Sequence, residues 1–505
     1  MSKKMSFGKK LAIIAMVLVL VIMVVAVGGI FYLNHYLNTE GFRDRLEGEV
    51  QKQAGVELQV GDLAASIFKG FTLRDLTVAS PEAGDPAIFS AGEIVLQYKL
   101  SDLLSRKVTV DRILIASPRV QLRKDPEGQW ILPGGLAKIA SAPASPPKEQ
   151  DPSPSEETSK WKIAVDSFRI SDGSAELFTG ENYDPVTVSG LNLSGRFLGA
   201  GELSEIEARL EIEGLAFGGE QLGKNLRSDL VLKGSESLSG DFRTGFAGGE
   251  ITGGLSADLK DRAAIPYRTD LNLTGIDIAP LLKVFAPDAG MEVTGEIFGQ
   301  VDVRGDAADT DSLKASGKLE IRGGTISGNQ IQNMIAGLLQ DEKLKIITFE
   351  EAEANLTVVG QLATLDRLIV HSRKMIFTVS GTVDLGRGSE IDLAVGLNLD
   401  DRLVEDIKVR DLRNSFRSSE GFPGYQVFDF KVWGTPDKLK NDFAERLVQR
   451  GAVSILKEEL LKKDRAREED PELSAEERDR RREKREKREE GIEEGVSKIF
   501  KLFGD

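Results

Sequence analysis

Apolar and polar residues alternate with period two along most of this chain. In "EIEARLEIEG", Ile206, Ala208, Leu210 and Ile212 fall on one side of an extended strand, with charged residues on the other. The same pattern places Leu271 with Leu273, Phe377 with Val379, and Ile391 with Leu393, Val395, Leu397 and Leu399. Near the start, "GFTLRDLTVAS" breaks step: Phe71 and Leu73 share one parity, Leu76 and Val78 the other. The flip at Arg74-Asp75 predicts a bulge or turn. An apolar-polar-Gly triplet recurs at Gly195, Gly214, Gly234, Gly253, Gly275 and Gly295, at spacings of 19, 20, 19, 22 and 20. A period near 20 suggests a hairpin unit of two strands, each unit closed by its glycine.

Helical period is confined to a few places. Thr39 is positioned to cap a helix carrying Phe42, Leu46 and Val50, and "NQIQNMIAGLLQ" sets Ile331, Met334, Ile335, Leu338 and Leu339 on one face. Residues 438–463 read as an amphipathic helix, 464–490 as a charged spacer and 491–505 as a terminal amphipathic helix. Between the β-rich stretches 39–136 and 161–310, residues 137–160 are rich in Pro, Ser and charge and read as a disordered linker. A further β region with one helix is expected over 311–436. The whole is expected to be mainly β: an elongated, curled antiparallel ribbon behind a transmembrane helix, with a helical charged tail.

That transmembrane helix is Leu11 to Leu33, 23 positions without a charge. At ~1.5 Å per residue it reaches about 34 Å, enough for a hydrocarbon core of ~30 Å. Lys3, Lys4, Lys9 and Lys10 precede it, so the positive-inside rule keeps residues 1–10 cytoplasmic and exports the rest. A cleaved signal peptide ending near Ala26-Val27-Gly28 is the rival reading, disfavoured by the length of the apolar run.

Composition narrows the chemistry. A net charge of −15 argues against nucleic acid, and the absence of cysteine removes disulfides, thiolate metal sites and a Cys nucleophile. With only His35 and His371, neither a multi-histidine metal site nor a Ser-His-Asp centre is expected. "GGEQLGK" (Gly218 to Lys224) has phosphate-loop spacing, but Asn225 stands where Ser or Thr is needed and strands flank it. No catalytic residue, cofactor or metal ligand is nominated.

The apolar faces therefore need another account. A sandwich could cover them. A trough left open to a guest could instead shield acyl chains, each methylene of which costs ~0.8 kcal/mol in water, or about 12 kcal/mol for roughly 16 carbons. Periodicity alone does not separate the two.

Leu73, Leu76, Val78, Pro118, Val120, Leu122, Gly128 and Trp130, behind an apolar anchor and a helix, stand at the positions of an "L-x-x-L-x-V" strand and a "P-x-V-x-L…G-x-W" segment. In that order they resemble the AsmA family of bacterial envelope proteins. "LKASGKLEIRGG" and "VFDFKVWGTPDKLKNDF" are similar to that family's C-terminal region. The resemblance implies an inner-membrane anchor and a periplasmic β structure, related in kind to TamB and chorein-type bridge proteins. It also implies phospholipid as guest, and outer-membrane or periplasmic proteins as partners. On that reading the groove candidates are Ile206, Leu210, Ile212, Leu271, Leu273, Ile391, Leu393, Val395 and Leu397, and Asp at Leu393 or Val395 is expected to expel lipid without unfolding the body. The alternative is a closed structural or adaptor protein that carries no lipid.

Overall fold

The computed structural model describes most of residues 39–446; residues 1–38, 125–130, 132–161 and 447–505 fall outside that description, as do shorter stretches including 329–335 and 337–341. The expected span at 11–33, the linker, the charged spacer, the terminal helix and nearly all of "NQIQNMIAGLLQ" thus lie outside the described residues. Among those described, no helix is long and apolar enough to cross a membrane. The chain is mainly β and divides into two units: Met1–Gly245 with Leu255–Ile265, and Phe246–Gly254 with Pro266–Asp505.

Unit 1 opens with α1 (Glu40–Ala54), one residue past Thr39. Then β1 (Leu58–Ser66), β2 (Gly70–Val78), β3 (Phe89–Lys99) and β4 (Lys107–Ala116) form an antiparallel meander. The next step departs from the expected all-antiparallel ribbon. Both β4 and β5 (Arg119–Arg123) pair in parallel with β7 (Ser167–Phe178), and β6 (Lys162–Val165) pairs in parallel with β4. A parallel step needs a long crossover, and the stretch between Arg123 and Lys162 supplies one. Antiparallel pairing resumes through β8 (Val186–Leu198), β9 (Glu205–Phe217) and β10 (Glu220–Lys233), and β11 (Ser237–Phe246) and β12 (Gly249–Asp258) follow in the chain. Gly218 and Gly219, both at positive φ (57° and 79°), make the tight turn between β9 and β10. The apparent phosphate loop is a hairpin turn with φ > 0 at both central residues.

A parity flip recurs at one level through these strands. Apolar positions change step between Val60 and Leu63, Leu73 and Leu76, Ala91 and Ile94, Ile170 and Gly173, Val188 and Leu191, and Ile212 and Leu215. Residues with left-handed backbone sit at that level: Asp75 (φ 51°), Ser117 (47°), Asp172 (54°), Gly190 (61°) and Asn225 (53°). Each such residue bends its strand and returns the following residues to the same side, so the apolar positions before and after the flip share a face. Asp and Asn tolerate this conformation better than most residues. Side chains stabilise the crease: Ser117 Oγ donates to Asp172 Oδ2 (3.3 Å), the Asp172 N–H donates to Asn192 Oδ1 (3.1 Å), and Asn192 Nδ2 donates to the Gly190 carbonyl (3.0 Å). The flip read at Arg74-Asp75 is thus one member of a row, and it is a left-handed bend with no inserted residue, since β1–β2 and β2–β3 keep their register across it.

In unit 2, β13 (Pro266–Asp277) pairs with β15 (Glu296–Asp306), which is followed in antiparallel order by β16 (Asp309–Ser327), β17 (Ile346–Val359), β18 (Leu362–Ser372), β19 (Met375–Asp384), β20 (Ile391–Asp400) and β22 (Tyr425–Thr435). Between β13 and β15 lie α2 (Ile278–Phe285), capped by Asp277, and the short β14 (Glu292–Val293). Lys438–Asn441, expected to begin an amphipathic helix, is instead β23, paired with Val432–Thr435. The open edge of β22 there offers backbone partners that outweigh helical propensity. The glycine triplets mark strand ends only in part: Gly234 follows β10, but others lie within strands. Gly195 and Gly214 lie inside β8 and β9, and the ~20-residue period holds one long strand and its turn, not two strands.

Candidate functional site: two apolar sheet faces

The registers align the alternating positions into rows. In unit 1 one row runs Leu63–Leu73–Ile94–Ile115–Ile170–Leu193–Leu210–Ser228 across eight strands. Beside it runs Ala65–Phe71–Leu96–Ile113–Phe168–Gly195–Ala208–Leu230. In this second row Gly195 leaves room for the Phe168 ring, which a Cβ there would meet at 2.5 Å. Beyond the crease, Leu58–Val78–Phe89–Val120–Ala175–Val188–Leu215 forms a further row. Cross-strand apolar pairs of this kind are the stabilising unit of a sheet face. Val60, Leu63, Ala65, Leu76 and Ala91 are buried near the β1 edge, as is Leu222 on β10; Ile206, Leu210 and Ile212 are only half-buried.

Unit 2 repeats the arrangement. Leu271–Val301–Gly317–Leu356–Leu365–Gly381–Leu393–Val432 and Leu273–Gly299–Leu319–Ala354–Leu368–Val379–Val395–Phe430 each cross eight strands, about 34 Å at ~4.8 Å per step. Along these rows the cover changes. Leu271, Leu273, Ile391 and Leu393 are half-buried, whereas Val395 (8 % exposed) and Leu397 (1 %) belong to a core closed by Val404, Ile407, Phe428, Phe430 and Phe443. The Phe443 ring meets Phe428 and Phe430 edge-on at centroid distances of 5.0 and 5.1 Å. Side chains from α3 (Asp401–Glu405) and the segments after it provide this cover. Sequence parity assigned all nine candidates to apolar positions. It carried no information on cover: Val404 and Ile407 come from a short helix and the residues just after it, with no period of their own, and the apolar face read over 438–463, which holds Phe443, did not say what it would cover. Val395 is therefore no probe of a guest: an aspartate there would open the core.

Both terminal edges are closed by a side-chain pair four residues apart. In unit 1, Glu47 Oε1 accepts from the Val60 N–H (2.8 Å) and Arg43 Nη1 donates to the Gly61 carbonyl (3.1 Å). In unit 2, Asp442 Oδ1 accepts from the Lys431 N–H (2.6 Å) and Arg446 Nη1 donates to the Asp429 carbonyl (3.4 Å). Each pair supplies the acceptor and donor that a neighbouring strand would have offered.

The opposite faces are polar. Arg209 pairs with Asp229 at 2.8 Å, which raises the guanidinium pKa; Lys99 lies 2.5 Å from Asp166 and 3.4 Å from Asp111, and the hydrogen bond to Asp166 holds its pKa above the usual lysine range. Arg322 donates to Glu320 (Nη2 to Oε2, 2.9 Å) and holds that carboxyl below the usual range. These pairs are exposed. Among the described residues no group of His, Cys, Asp or Glu could hold a metal ion. His371 stacks edge-on against Phe422 at 6.2 Å.

Together these features describe a class: a mainly β protein whose long strands align one apolar and one polar face in each unit, with its sheet edges capped. The family model that matches is that of the AsmA family, over residues 5–195, and the match supports an AsmA-family assignment for the chain. That is not a known enzyme family. No curated protein and no solved structure matches the chain.

Proposed function

We propose that this protein is anchored in a bacterial inner membrane, faces the periplasm, and shields phospholipid acyl chains on the apolar faces of its sheets for movement between membranes and outer-membrane upkeep. One observation carries the reading. The row through Leu210 is apolar over seven strands before it reaches Ser228, and the row through Leu271 carries no polar side chain over eight, yet many of their residues stay half-buried where the protein's own side chains do not cover them. A contiguous apolar face left only half-covered is the kind of surface that takes a partner or a guest. The crease in unit 1 supports the same reading, since strands bent at one level give the apolar face an inside. Headgroups would remain in water while the chains lie along the rows. The membrane placement rests on residues 11–33 and their flanking lysines.

The covered stretch around Leu397 and Phe428 favours a second reading, a closed adaptor that positions outer-membrane partners and carries no lipid. Mass spectrometry of the purified full-length chain separates the two. The groove reading expects co-purified phospholipid, reduced several-fold in Leu271→Asp/Leu273→Asp while far-UV circular dichroism is unchanged. A lipid content that this double variant leaves untouched supports the adaptor.

A further inference from the structure

The polar face of unit 2 carries one row unlike its neighbours. Arg268, Arg304 and Lys314 lie directly opposite one another on β13, β15 and β16, and the row continues as Val359 on β17 and Leu362 on β18 before ending at Asp384 on β19. Arg268 bonds Asp302 at 3.2 Å; among the described residues neither Arg304 nor Lys314 has an ion-pair partner. Like charges directly opposite on adjacent strands destabilise a sheet, and Asp302, with Asp270 facing it in the next row, offsets only part of this cationic run. A cleft of about 380 Å³ opens over the row, lined also by Ser316 and Thr357.

The aliphatic end of the row is exposed. Val359 is 53 % exposed, Leu362 48 % and Leu385 58 %, all at adjoining hairpin ends, where the Leu385 N–H donates to the Gln361 carbonyl at 2.7 Å. Val359 and Leu362 at one hairpin turn and Leu385 just past β19, next to three cations on a chain of net charge −15, form an amphipathic strip with the single carboxylate Asp384 at its end. Cations beside exposed aliphatics are the chemistry of an anionic membrane surface, where phosphates meet the bases and the aliphatics enter the headgroup boundary.

We infer that the strip Arg268–Arg304–Lys314–Val359–Leu362, with Leu385, docks unit 2 onto an anionic lipid bilayer. It lies on the face opposite the groove rows and does not depend on the groove carrying lipid.

The absence of cysteine makes the test clean. Full-length protein bearing Gln361→Cys, labelled with a polarity-sensitive fluorophore and reconstituted in phosphatidylcholine vesicles, is mixed with a second vesicle population carrying a lipid-borne quencher. Docking predicts a blue shift and quenching when the second vesicles hold about one part in three phosphatidylglycerol, and little change with phosphatidylcholine alone. Arg304→Glu/Lys314→Glu is expected to weaken the response tenfold or more, and Val359→Ser/Leu362→Ser to remove the blue shift while leaving a weaker, salt-sensitive association. No response to either vesicle overturns the proposal. So does an equal response to both, a response that the charge variant leaves intact, or a response mimicked by inorganic phosphate without vesicles.

Discussion

At the scale of single residues, parity and cover have to be separated. Leu271 and Leu397 read alike in sequence, each an apolar residue between polar neighbours, yet the first is half-buried and the second 1 % exposed among aromatic rings. Leu397→Ala should cost roughly 2–5 kcal/mol in urea unfolding and Leu271→Ala about 1 kcal/mol or less; equal losses would mean that both faces are closed cores. The face of each residue was legible because a strand's period is two. Its depth was not, because Val404 comes from a five-residue helix too short to show a period, and the apolar face read over 438–463, which holds Phe443, did not say what it would cover. Glu320 gives a prediction in pH. Its pKa is lowered in the folded state by Arg322, so its contribution is present above the ordinary glutamate range and is lost as pH falls through the folded value. Glu320→Gln should therefore lower the urea midpoint near pH 7 and converge on wild type in strong acid. A gap that persists in acid would assign the effect to packing instead of charge.

At the scale of elements, the crease and the edge caps decide how the strands terminate and turn. Asp75 sits at φ 51°, where a β-branched residue is strained. Asp75→Val should destabilise the protein by about 1–2 kcal/mol and Asp75→Gly should be close to neutral in thermal unfolding. One member of this row was readable from the broken alternation of "GFTLRDLTVAS". The alignment was not, since it exists only once the registers bring Asp75, Ser117, Asp172, Gly190 and Asn225 to one level. The edge caps were invisible for a similar reason: Arg43 and Glu47 look like an ordinary charged helix face until β1 lies beside them. Arg43→Ala/Glu47→Ala should expose the β1 edge and produce concentration-dependent self-association in sedimentation velocity, while a monomer at every concentration would deny the pair that role. The parallel step from β4 and β5 to β7 escaped the sequence as well, because alternation is the same in parallel and antiparallel strands.

For the molecule as a whole, the mainly β character and the likeness to the AsmA family were legible in the sequence. Pro118, Val120 and Leu122 lie within the stretch that the family model covers; the match ends at residue 195, so the likeness of the later strands rests on their own residues. The central claim is that the half-buried rows meet acyl chains, and site-specific photocrosslinking tests it most directly. Benzoylphenylalanine is placed in the full-length chain at Leu210 and Leu271 on the apolar faces, and at Glu207 and Asn272 on the polar ones. The account predicts phospholipid adducts at the first two positions and none at the second two. Adducts to protein alone at Leu210 and Leu271, or lipid adducts equally at all four, would contradict it.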